Sequence, residues 1–161
     1  MWGASTKNGF CICMRKAMNS ARVAPRLLSV LETALYVDDL PRAAAFYETV
    51  MGLPVLHADA RLRAYNVNNR NVLLLFLRGG TVEPVQTGGG LIPPHDGSGR
   101  LHMAFSISHD ALPLWRAHLE GCGVFIEGTS NWMRGGRSLY FRDPDGNLLE
   151  VAATPGLWPG F

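Results

Sequence analysis

The chain is poor in cysteine. It has three, Cys11, Cys13 and Cys122, an odd number with two crowded near the start, so no disulfide framework can be built and a reducing, cytoplasmic setting is expected. Long apolar runs are missing too. No stretch is long enough for a transmembrane helix or for the h-region of a signal peptide, so no membrane partner is expected. Acidic residues are absent before Glu32, a region in which Lys7, Arg15, Lys16, Arg22 and Arg26 are the only charged side chains. The other 10 basic residues face all 13 acidic ones, so the body carries about −3 although the whole chain is +2. That balance gives no support to a nucleic-acid surface.

Residues 1–26 also lack hydrophobic periodicity and read as a disordered basic extension. The composition fits an organellar transit peptide, and equally a start placed too early with Met18 as the initiator. The body, residues 27–155 with a short tail at 156–161, is long enough for one core or for two small modules sharing a sheet. Its hydrophobic content, 47% over the chain, is ordinary for a globular protein.

What the sequence does contain is repetition. Leu31-Glu32-Thr33-Ala34-Leu35-Tyr36-Val37 returns 70 residues later as Leu101-His102-Met103-Ala104-Phe105-Ser106-Ile107, and each copy leads into a helical pattern that stops at a glycine, Gly52 or Gly123. Two copies of one supersecondary unit are expected, spanning about residues 30–77 and 101–153. In the first, a strand at 30–37 puts Thr33, Leu35 and Val37 on one face and Glu32, Ala34 and Tyr36 on the other. Asp39 caps a helix at 40–51 with Pro41 in its first turn, and short strands follow at 53–57, 63–67 and 71–77.

Residues 78–100 hold seven glycines and three prolines, a composition that resists regular structure. In the second unit Leu101, Met103, Phe105 and Ile107 alternate with His102, Ala104, Ser106 and Ser108, and only the first set is suited to a core. Asp110 is expected to cap a helix at 111–120, followed by strands near 124–127, 137–142 and 147–153. Asp143-Pro144-Asp145-Gly146 is a strong turn between the last two. In the last strand Glu150 projects from otherwise apolar neighbours, where an unpaired carboxylate is costly.

The run Ala34-Leu35-Tyr36-Val37-Asp38-Asp39-Leu40, the later Ala45-Phe46-Tyr47 and Met51-Gly52-Leu53, and Ser138 through Glu150 with its Asp-Pro-Asp-Gly turn resemble the vicinal oxygen chelate superfamily. That superfamily includes glyoxalase I, extradiol dioxygenases, and fosfomycin- and bleomycin-resistance proteins. The resemblance covers residues 29–153 and implies an α+β fold of two βαβββ modules, with a concave mixed sheet and helices on its outer face. It also implies a divalent metal held from the first and last strands of the modules. Residue by residue, the first-strand positions are Glu32 and His102 and the last-strand positions are Leu74 and Glu150, so three of four hold ligand-type side chains.

One imidazole and two carboxylates would neutralise a 2+ ion and leave room for water or a bidentate substrate, with Fe, Mn, Ni, Co and Zn all open. The implied activity is that of a metal-dependent lyase, isomerase or dioxygenase acting on a small molecule with vicinal oxygens. Glyoxalase I is disfavoured by Leu74. The fosfomycin-modifying pattern is disfavoured by the lack of basic residues after Glu150. The rival reading is a metal-free sequestration protein like the bleomycin-binding members.

Around the metal positions, Tyr140 is the expected proton donor. Tyr36, Ser106, Trp132 and Arg137 are expected to contact substrate, Arg137 as an anion clamp. His95 and Asp96 are either a lid over the cleft or a solvated turn. A homodimer is expected, because two small modules leave sheet edges for a partner to cover.

Overall fold

The computed structural model describes residues 24–161. Most of the expected basic extension therefore lies outside the described residues. Within them the chain runs β1 (Glu32–Val37), α1 (Leu40–Thr49), β2 (Val55–Ala58), β3 (Leu62–Val67) and β4 (Asn71–Leu77). A hairpin follows, β5 (Val85–Thr87) and β6 (Gly90–Ile92). Then come β7 (His102–Ile107), α2 (Leu112–Gly121), β8 (Ile126–Asn131), β9 (Arg137–Arg142) and β10 (Leu148–Ala153). Two βαβββ modules are present in order.

Each module makes a four-stranded mixed sheet with the same connectivity, β1-β4-β3-β2 and β7-β10-β9-β8. The first and last strands of a module lie side by side and parallel, because the helix between them returns the chain to the sheet as a crossover. The other pairings are antiparallel. This connectivity brings the residues at the starts of β1 and β7 beside the last strand of their own module.

The alternating strands bury the expected face. Leu35, Val37, Leu73 and Leu75 in the first module and Leu139, Phe141, Leu149 and Val151 in the second are at most 2% exposed, and they join Tyr47 of α1 and Leu119 of α2 in a single cluster. The modules therefore share one core. Helix α1 is capped by the Asp39 carboxylate, which accepts from the Arg42 amide, and it ends where Gly52 turns the chain at φ +64.

Two expectations are corrected here. Asp110 does not cap α2: residues His109–Ala111 form a 3-10 turn running into the helix, whose own cap, Ala111, offers no side-chain acceptor. The glycine-rich connection is not wholly irregular either, since Thr87 and Gly90 close the β5–β6 hairpin around Gly88 and Gly89. Among the described residues no helix is long and apolar enough to cross a membrane.

Candidate metal centre and adjoining cavity

Strands β7 and β10 bring His102 and Glu150 together. Leu148 lies opposite His102, so Glu150 projects two residues further along on the same face, and its Oε2 is 3.3 Å from His102 Nε2. The other ring nitrogen, Nδ1, is 3.0 Å from the Leu148 carbonyl oxygen. With Nδ1–H donating to that carbonyl, the neutral ring turns its lone-pair nitrogen, Nε2, towards the carboxylate. With that ring neutral, two acceptors face one another, and a cation between them would satisfy both.

The carboxylate points to the same conclusion. Glu150 is 4% exposed, and its Oε1 is buried without a hydrogen-bond partner. A buried orphan oxygen beside an imidazole lone pair is what a metal-ligating carboxylate looks like without its ion. The residues present fit a divalent cation.

Glu32 is not gathered with them. It stands at the start of β1 in the other sheet, and among the described residues no group of three or more His, Cys, Asp or Glu side chains is close enough within one chain to hold an ion. Both β1 and β7 are edge strands. Between them runs a groove of about 480 Å3, lined by Glu32 and Thr33 on one side and by residues 103–106 on the other.

Of the other expected site residues, Tyr140 lies opposite Glu150 in the β9–β10 register and shares its face. Ser106 is on that face too, its hydroxyl 2.5 Å from the Thr154 hydroxyl. Trp132 donates its indole N–H to Ser138 Oγ at 2.9 Å. Arg137 departs from the expectation. It alternates in phase with Leu139 and Phe141, which bury the helix-side face, so it does not project beside Tyr140.

Tyr36 lines a second cavity, on the helix-free face of the first module, with a volume of about 500 Å3. Glu32, Leu74 and Arg61 line it as well, and its wall is the chain around His95. The Tyr36 hydroxyl is 2.7 Å from His95 Nδ1, and both rings pack on Phe76. His95 is fixed by its backbone: its N–H donates to the Thr81 carbonyl and its own carbonyl accepts from the Thr81 hydroxyl. Asp96 accepts from the amides of Gly79 and Gly97, while Gly97 lies so close to Tyr36 that a Cβ there would be 2.3 Å from the ring. These contacts fasten the wall to the first module, while Asp96 itself stays exposed. Burial, aided by the Asp96 charge, holds the Tyr36 phenol above its ordinary pKa.

Sequence reasoning left His95 undecided and did not reach Arg61. The only local signal was Pro93-Pro94-His95-Asp96-Gly97, a stiff segment ending at a residue without a side chain.

A family model, the Glyoxalase/Bleomycin resistance protein/Dioxygenase superfamily, matches residues 29–151. The chain belongs to this superfamily. It is 28% identical over 127 residues to the metallothiol transferase FosB of Bacillus licheniformis, a match covering 78% of this chain and 75% of that protein. The lactoylglutathione lyase of Agrobacterium tumefaciens superposes with a TM-score of 0.74 at 33% identity, covering 83% of this chain and 97% of that one. The fosfomycin resistance protein FosX of Listeria monocytogenes, 19% identical with a TM-score of 0.59 over 82% of this chain and 94% of its own, shares the fold.

Proposed function

We propose that this superfamily member is a divalent-metal-dependent enzyme acting on a small molecule with vicinal oxygens, by lyase, isomerase or dioxygenase chemistry. It works as a homodimer, each metal site taking Glu32 from one copy and His102 with Glu150 from the other. Glu150 carries the reading, as a buried carboxylate with one orphan oxygen and the other facing a carbonyl-oriented imidazole. Glu32 lies on a separate sheet from the pair, and β1 and β7 are both edge strands, which supports a site shared between copies.

In this site the Leu148 carbonyl fixes the His102 ring, and Glu150 supplies negative charge from a nearly dry strand. A divalent metal held by these residues would supply Lewis-acid polarisation of the substrate's oxygens. In this reading Tyr140, across the strand from Glu150, holds a proton near the reacting oxygens, and Ser106 and Trp132 contact the substrate. Fe, Mn, Ni, Co and Zn all suit a set of one nitrogen and two carboxylates.

Metal analysis of protein purified without chelator tests the reading. The expected result is a metal content near one ion per chain that His102→Ala removes. Wild-type protein that takes up none of these ions, even when they are supplied, overturns it in favour of metal-free small-molecule sequestration.

A further inference from the structure

The cavity on the first module has a ligand chemistry of its own. Its floor is apolar: Ala34, Leu74 and Phe76 project into it, and Leu74 occupies the position where the other module has Glu150. Arg61 lines the side, half-buried, and among the described residues no carboxylate lies within ion-pair distance of its guanidinium. The carboxylates on the cavity are Glu83, exposed where water screens it, and Glu32, assigned above to the metal. A free guanidinium beside a hydrophobic floor favours a ligand that supplies both an anion and an apolar surface.

His95 adds a directional contact. The Tyr36 hydroxyl lies 2.7 Å from Nδ1, and with the phenol donating there, Nε2–H is the ring's remaining donor. Because the wall is fastened through Thr81, Asp96 and Gly97, that donor is held in place before a ligand arrives. A volume of about 500 Å3 suits a compact organic molecule.

We infer that this cavity takes a small organic anion with an apolar body. Its carboxylate or phosphonate sits on Arg61, its apolar part on Leu74 and Phe76, and a further oxygen at His95 Nε2. The inference deepens the metalloenzyme reading and rests on it for turnover, but binding alone tests it.

Calorimetric titration of the metal-loaded full chain with benzoate, phenylphosphonate and octanoate, against uncharged benzamide, provides the test. At least one anion should bind about tenfold or more tightly than benzamide, a difference that Arg61→Gln removes and Arg61→Lys retains in part. His95→Phe should weaken the anion several-fold with Arg61 intact. Equal binding of benzoate and benzamide, no binding of any anion at millimolar concentration, or an Arg61→Gln variant that binds as wild type does overturns the inference. Repeating the titration with His102→Ala separates the two readings. Anion binding that survives loss of the metal supports the cavity independently of the metal, whereas normal metal uptake without anion discrimination sinks the cavity alone.

Discussion

Tyr47 of α1 donates its buried hydroxyl to Asp143 Oδ2 at 2.9 Å, joining the first module's helix to the turn before the second module's last strand. The same carboxylate accepts from the Asn147 amide N–H at 2.8 Å, the Asn147 side chain at 2.8 Å and the Asp145 amide at 3.0 Å. Asp145 in turn accepts from the Asp38 amide and from Arg42. The Asp-Pro-Asp-Gly turn is thus a clasp between modules as well as a turn. It holds β10, and with it Glu150, against the shared core.

Tyr47→Phe should therefore destabilise the fold by about 2 kcal/mol, the loss of one hydrogen bond to a buried charged acceptor that keeps its other partners. Asp143→Ala should cost more, because it orphans the Tyr47 hydroxyl and the Asn147 donors together. Urea unfolding followed by circular dichroism measures both. Equal stability of Tyr47→Phe and wild type would remove the clasp.

Three of the four tyrosines should titrate late. Burial first, with Asp143 in support for Tyr47, Glu48 for Tyr65 and Asp96 for Tyr36, raises each phenol above the ordinary value near 10. Above about pH 10 the unfolded chain then releases phenol protons that the native chain keeps, so stability falls as pH rises past that point and is insensitive to these groups below it. Absorbance at 295 nm should show most tyrosinate appearing only at higher pH in native protein, and at the ordinary pH in urea.

At the metal site, His102→Ala and Glu150→Ala should each abolish tight uptake, since each deletes a ligand and unbalances the charge. Glu32→His should keep binding and shift preference towards Ni and Zn, which imidazole suits better than carboxylate does. Calorimetric titration of each variant with Mn, Ni and Zn reads this directly. Retained Mn affinity in Glu150→Ala would contradict the role drawn from its orphan oxygen.

The sequence disclosed features set by short periods and by the repeat. Alternation at Leu101, Met103, Phe105 and Ile107 fixed which way His102 points, and the second module's parallel first and last strands place Glu150 beside it. Features that depend on register or on distant packing stayed hidden. Arg137 and Tyr140 are three residues apart, an odd separation that puts them on opposite faces of β9. Asp110 falls in a 3-10 turn that preference for a capping residue does not anticipate. His95 becomes a fixed wall only because Thr81, Tyr36 and Gly97 meet it, from positions whose proximity no local pattern reveals.

The separation of Glu32 from His102 and Glu150 yields the sharpest test of assembly. If a site takes Glu32 from one copy and the other two ligands from its partner, a Glu32→Ala chain and a His102→Ala chain are each inactive in metal uptake alone. Unfolded together and refolded as a mixture, they form mixed dimers with one site carrying both defects and one carrying neither. Random pairing makes half of all dimers mixed, so the mixture should recover about a quarter of wild-type metal capacity. Sites assembled within one chain predict no recovery, because every chain then carries a defective site. Metal content of the refolded mixture, compared with each variant refolded alone, decides between them, and light scattering in parallel should give the mass of two chains. Recovery requires that β1 of one copy approach β7 of the other, each being the edge strand of its own sheet.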